Sequence, residues 1–161
     1  MPEPITSTLD DEQQRIAGDA LRGTVVDLID LSLIAKQAHW NVIGPSFRSV
    51  HLALDELVTA ARDFTDSVAE RATAIGVGPD GRARTVAEQS SAIGFNEGWQ
   101  PDAAVIEAIV ANLAAVIARL RERIDATDKA DPVTQDLFIG ISARLEQLHW
   151  MWQAQVATVP K

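Results

Sequence analysis

From residue 50 to residue 75 the apolar side chains Val50, Leu54, Leu57, Ala61, Phe64, Val68, Ala72 and Ile75 recur in steps of three and four. That is the period of one helix face, and at about 1.5 Å per residue it predicts a helix on the order of 45 Å long. Its start is expected near Ser46, just after Pro45, and its end by Gly76, ahead of the breaker Gly78-Pro79-Asp80-Gly81. A helix of this length with one apolar face needs partners of similar length to cover it.

Three other stretches supply them. The first follows a candidate cap at Asp10 or Asp11 and carries Leu21, Val25, Leu28, Leu31 and Ala35 before Gly44-Pro45. Another begins after Pro101-Asp102, with Val105, Ile109, Leu113, Val116, Leu120 and Ile124, and decays at Ala126-Thr127-Asp128. The last starts around Asp131-Pro132 and carries Val133, Leu137, Ile141, Leu145, Leu148 and Trp152. A crossover of about 25 residues separates the second and third long helices, and Arg84 to Ser91 within it reads as a short extra helix. The pattern predicts an all-α, ferritin-like four-helix bundle with one long connection. At 161 residues the chain is expected to be one domain, 1–161, with 1–10 a short N-terminal tail.

Composition narrows the chemistry. The chain has no cysteine, which excludes disulfides, thiolate zinc sites and cysteine nucleophiles, so any metal must accept oxygen and nitrogen ligands. The first residues show neither a basic start nor an apolar run, and no uninterrupted apolar stretch approaches the roughly 20 residues of a membrane span. A soluble, cytoplasmic protein with no membrane partner is expected. The formal charge is −9, and lysine occurs only at Lys36, Lys129 and Lys161. Affinity for DNA comes largely from Lys and Arg neutralising phosphates, so this balance predicts weak or absent DNA binding and favours cations instead.

The cations have an evident destination. His39, His51, Asp55, Asp66 and Glu70 form a series of carboxylate and imidazole groups, and two of the chain's three histidines lie in it. On the second helix Asp55 lies about 40° round from His51, Asp66 about 60° and Glu70 about 100°, so the four share one stripe beside the apolar one. Such a row is often only a solvated face, but the histidines argue otherwise. Asp55 and Asp66 are about 16 Å apart along the axis, farther than one mononuclear or dinuclear centre reaches. One helix therefore cannot close the site. The His51/Asp55 and Asp66/Glu70 pairs sit symmetrically about residues 60 and 61, so the same helix from a second subunit, crossing antiparallel there, would create two equivalent sites across a two-fold interface. His39 could complete either.

Glu146-x-x-His149 has the spacing of an in-chain di-iron bundle, but such centres need two copies and only one is present. His149 is therefore expected to be structural, in a patch with Trp150 and Trp152. No Gly-rich phosphate loop, serine nucleophile elbow or HExxH motif occurs.

The stretch His39-Trp-Asn-Val-Ile-Gly-Pro-Ser-Phe-Arg-Ser-Val-His51-Leu-Ala-Leu-Asp55 resembles the first signature of the Dps family, the mini-ferritins also called DNA-binding proteins from starved cells. Asp66-Ser-Val-Ala-Glu70-Arg71-Ala-Thr-Ala-Ile75-Gly76 resembles the second. Thr65 stands where that family usually has a larger apolar residue.

The resemblance implies a ferroxidase. Its form would be a hollow homododecamer that oxidises Fe(II), preferentially with hydrogen peroxide, at two-fold interfaces and stores the ferric product as a mineral. It implies that Asp66 and Glu70 of one subunit, with His39 of its partner, hold the tighter iron, while the partner's His51 and Asp55 serve a second, weaker site. Trp40 is implied as a trap for stray oxidising equivalents; the alternative is an aromatic packed at a helix end. Acidic three-fold pores would admit iron, with Asp128, Asp131 and Asp136 as candidates, although helix starts attract Asp for capping alone.

The alternative function is a DNA-compacting nucleoid protein. Members of the family that bind DNA tightly use a Lys-rich tail, which is lacking in the first 14 residues and beyond Arg144, where only Lys161 is basic. What remains for DNA is a shell patch of Arg82 and Arg84, or of Arg119, Arg121 and Arg123, or bridging divalent cations.

Overall fold

The computed structural model describes residues 5–90 and 92–158. Among these residues five helices and two very short strands follow one another: α1 (Asp11–Asn41), β1 (Val42–Ile43), α2 (Phe47–Ala74), α3 (Ala83–Gln89), β2 (Gln100–Pro101), α4 (Asp102–Thr127) and α5 (Pro132–Ala154). The four long helices form the expected bundle, α1 packed on α2 and on α4, and α4 on α5. α3 is the short helix of the crossover.

The helix starts follow from local chemistry. Asp10 caps α1 through a capping box: its carboxylate accepts the Gln13 N–H at 2.9 Å while the Gln13 side chain accepts the Asp10 N–H at 3.1 Å. Leu9 packs against the core just before that cap. Of the expected tail 1–10, residues 1–4 lie outside the described residues, as does the Ser91 end of the predicted short helix. Asp131 caps α5, with Pro132 at its first position, where a missing N–H costs nothing.

The core runs the length of the bundle, with Leu21, Leu28 and Leu31 of α1 meeting Leu54, Leu57, Ile109, Leu113, Phe138 and Trp152. Burying each such side chain contributes about 1.5–3 kcal/mol, which offsets the entropy of ordering long helices. Among the described residues α4 is the one helix long and apolar enough by composition to cross a membrane. Glu107 and Arg119 interrupt it, and its Val105, Ile109, Leu113, Val116 and Leu120 are buried in the bundle.

One buried cluster is ionic. Asp27 of α1, 2% exposed, accepts from Arg119 Nε at 3.0 Å, Arg119 Nη2 at 3.1 Å and Arg123 Nη1 at 2.7 Å. The expected shell patch of Arg119, Arg121 and Arg123 is thereby corrected. Residues 119 and 123 share one helix face, four positions apart, and reach Asp27, while Arg121 faces outward and pairs with Glu146.

The crossover returns to the α1–α2 turn. There β1 pairs in parallel with β2, Val42 opposite Gln100 and Ile43 opposite Pro101, a contact that helix periodicity does not announce. Asn112, fully buried on α4, holds the crossover by accepting the Ile93 and Gly94 N–H groups and donating to the Gly94 carbonyl.

Candidate metal centre

The turn between α1 and α2 sets the site. Gly44 adopts φ 130°, and a Cβ there would stand 2.7 Å from Asp102 Cγ, so the backbone must come close to that carboxylate. Asp102 Oδ2 accepts the Ser46 N–H at 2.6 Å and Oδ1 accepts the Ala103 N–H at 2.9 Å. One negative charge thus sits at the N-termini of both α2 and α4, where the helix dipoles favour it. The turn then runs α2 back along α1 and sets the last turn of α1 beside the second turn of α2.

That places His39 against His51, their rings stacked with centroids 3.6 Å apart. The two residues lock each other. His39 Nδ1 lies 2.9 Å from the His51 carbonyl oxygen, and His51 Nδ1 lies 2.9 Å from the His39 carbonyl oxygen. A carbonyl only accepts, so each Nδ1 carries the hydrogen, and in the neutral ring each Nε2 keeps its lone pair for a metal. This is the outer hydrogen bond that orients a ligating imidazole. Phe47 packs against the second ring, at 5.0 Å between centroids.

Asp55 joins the pair, its Oδ1 3.4 Å from His39 Nδ1. Lys36 of α1 donates from Nζ to the same oxygen at 2.6 Å. That hydrogen bond, reinforced by the nearby His39, Lys36 and His51, holds the Asp55 carboxyl below the usual carboxylate range. Lysine therefore occupies the position from which Asp55 would meet a cation, a feature the sequence reading missed. Its signal was present, since Lys36 precedes His39 by nearly one turn on a helix shown to face α2.

Asp66 and Glu70, one turn apart in the second half of α2, are exposed and stand apart from the His39/His51/Asp55 group. Among the described residues, no three His, Asp or Glu side chains are arranged to hold a metal ion within one chain. The five candidates thus fall into two separate groups, His39, His51 and Asp55 in one and Asp66 and Glu70 in the other. A depression of about 480 Å³ borders the Asp55 half and runs toward the middle of α2, lined by Glu56, Thr59, Ala60, Asp63, Phe64 and Arg144 as well as Asp55. Leu33, Trp40, Phe47 and Leu52 are exposed large apolar groups on α1 and α2.

The three pore candidates part company. Asp136 is exposed, and Asp128 accepts a hydrogen bond from the Gln135 side chain. Asp131, 3% exposed, is no surface group: it binds Arg71 at 2.6 Å and also bonds Thr134. Burial pushes its carboxyl up, but the Thr134 and Arg71 hydrogen bonds outweigh that and hold it below the usual range.

Other expectations also meet the structure. Trp40 is 63% exposed, so it is not an aromatic packed at a helix end. The expected patch around His149 does not form, because Trp152 points into the core and Trp150 outward, while the His149 ring meets Gln153. Glu146 is taken by Arg121 and Ser142. Every arginine of the two proposed DNA patches has an acidic partner: Arg82 with Asp80, Arg84 with Glu88, Arg119 and Arg123 with Asp27, and Arg121 with Glu146. Lys161 lies outside the described residues.

Residues 18–161 match the ferritin-like domain family. The chain is 33% identical over 141 residues to DNA protection during starvation protein 2 of Deinococcus radiodurans, spanning 88% of this chain and 58% of that longer protein. It is 30% identical over 155 residues to the DNA protection during starvation protein of Mycolicibacterium smegmatis, spanning 92% of this chain and 81% of the relative. The solved structure of Dps from Microbacterium arborescens in the high iron form superposes with a TM-score of 0.90 at 33% identity, covering 95% of this chain and 99% of that one.

Proposed function

Because the chain belongs to the Dps family of ferritin-like proteins, we propose that it oxidises Fe(II) at centres closed between two subunits and stores the ferric product inside a hollow dodecamer. The observation that carries this reading is the division of the five ligands into two half-sites, with both imidazoles of one half oriented by their Nδ1 hydrogen bonds. Two copies of α2 crossing antiparallel near residues 60 and 61 bring each His39/His51/Asp55 half to an Asp66/Glu70 half. The depression along the middle of α2 and the exposed Phe47 and Leu52 are then covered by the second copy.

In this reading Asp66 and Glu70 of one subunit and the partner's His39 bind the first Fe(II). The partner's His51 and Asp55 bind a second once Lys36 has moved aside. Carboxylates favour Fe(III), which lowers the potential, while imidazole retains the ferrous ion until oxidant arrives. Two neighbouring Fe(II) ions each give up one electron, the O–O bond of one hydrogen peroxide breaks, and two protons complete two waters. Delivering both electrons together avoids hydroxyl radical, which one-electron reduction would release. An iron-bearing relative supports the assignment of iron as the substrate.

The test is ferrous oxidation followed with peroxide and with oxygen, alongside sizing of the particle. A species of about twelve subunits that oxidises Fe(II) faster with peroxide is expected. A monomer as the only species, or no oxidation above buffer, would contradict the proposal. The pairing of all five patch arginines disfavours the DNA-compacting reading. No duplex is expected to shift in a gel at about 150 mM salt without divalent cation, and a persistent shift would reinstate that reading.

A further inference from the structure

The ends of α2 and α5 enclose a groove of about 480 Å³ on whose walls lie Ser67, Glu70, Arg71, Ala74, Val133 and Asp136. Glu70 and Asp136 are exposed carboxylates, and Arg71 is the one cation among the lining residues. A guanidinium free to enter the groove would offset half of that negative charge. It is not free. Arg71 donates from Nη2 to Asp131 Oδ2 at 2.6 Å and from Nε to Thr134 Oγ1 at 3.1 Å, and both acceptors are buried.

The charge on Asp131 is not needed for its other task. Capping α5 requires an oxygen to accept the Val133 N–H, which lies 3.3 Å away, and asparagine caps as well as aspartate. A buried carboxylate carries a desolvation penalty, which the Thr134 hydroxyl and the Arg71 guanidinium together offset here. Of its partners Thr134, Val133 and Arg71, only Arg71 is charged, so the negative charge pairs with that guanidinium.

We propose that Asp131 holds the Arg71 guanidinium out of the groove between Glu70 and Asp136, and that a divalent cation reaches Glu70 through that groove. Asp131 and Arg71 are then positioning residues for cation entry. The proposal rests on the reading of Glu70 as an iron ligand. It also reassigns Asp131: the residue serves the entry route by immobilising a cation, without lining it.

Anaerobic Co(II) association with the intact oligomer, followed by its visible absorption, tests this without relying on turnover. Asp131→Asn keeps the cap and releases the charge of Arg71. It should slow association by about tenfold at low ionic strength, with the difference vanishing near 0.5 M salt, where charges are screened within a few ångströms. Arg71→Gln added to Asp131→Asn removes the released cation and should restore the wild-type rate to within about twofold. A double variant as slow as the single one would mean that the pair is only a structural tie, and an unslowed single variant would equally overturn the proposal.

Ala74→Lys puts a cation on the same wall without touching the tie. It should reproduce the loss even if Asp131→Asn assembles poorly, and no loss would exclude the groove as the route. Wild-type oligomer that binds no Co(II) would overturn the ligand assignment and this proposal together. Normal wild-type binding with unaffected variants would overturn this proposal alone.

Discussion

Replacing Asp27 by alanine separates the chemistry of the bundle interior from that of the interface. Asp27 accepts three hydrogen bonds from Arg119 and Arg123, at 3.0, 3.1 and 2.7 Å. Removing one partner of a buried ion pair costs about 3–5 kcal/mol, because the opposite charge stays behind. Here the arginine side chains are 21% and 20% exposed. They can turn partly toward water, which lowers the expected loss to about 2–4 kcal/mol. In a chain of this length each kcal/mol shifts the melting temperature by about 2–4 °C, so a fall of roughly 5–15 °C should appear in circular dichroism at fixed protein concentration. Replacing all three charges together, as Asp27→Leu with Arg119→Met and Arg123→Met, should recover most of the loss. Iron oxidation per folded subunit should be unchanged in either variant well below its melting point. A melting temperature within 2 °C of wild type would refute the energetic argument. Abolished oxidation in a folded Asp27→Ala particle would place the chemistry inside one bundle.

Two further perturbations probe the site itself. Lys36→Met removes the ammonium from Asp55 while keeping the packed stem, and the second Co(II) of each centre should bind about three- to tenfold more tightly in an anaerobic titration; unchanged binding would show that Lys36 does not compete with metal. The lowered pKa of Asp131 means that its contribution to stability is present above the ordinary carboxylate range and is lost as pH falls through its folded value. The stability gap between wild type and Asp131→Asn in urea should therefore hold from about pH 7 to pH 5 and close below about pH 4, and a gap that widened with acid would contradict the ion pair.

The long helices were legible because their signals are local. The three-and-four spacing from Val50 to Ile75, the cap at Asp10 and the proline at 132 each act within a turn or two of chain. The separation of Asp55 from Asp66 along α2 was legible for the same reason, since eleven residues of helix are a fixed length. What escaped depends on contacts between distant segments. Lys36 meets Asp55 across 19 positions, Arg71 meets Asp131 across 60, and Asp27 meets Arg119 across 92. Asp27 nevertheless left a trace. It shares a face of α1 with the buried Leu31, four positions on, where an unpartnered carboxylate would be costly, and the Arg119/Arg123 spacing on α4 supplied the partners. The mutual His39 and His51 lock had no such trace, because backbone carbonyls carry no sequence signature.

Co-assembly of two inactive variants tests the intersubunit centre most directly. One variant carries His39→Ala with His51→Ala, the other Asp66→Ala with Glu70→Ala, so every centre in either homo-oligomer lacks half its ligands. A mixed dimer has one centre with both halves altered and one with both halves intact. With random pairing about half the dimers are mixed, so differentially tagged co-assembled particles should regain roughly a quarter of wild-type peroxide-driven Fe(II) oxidation. Particles proven to contain both variants yet as inactive as their parents would contradict a centre closed between two subunits.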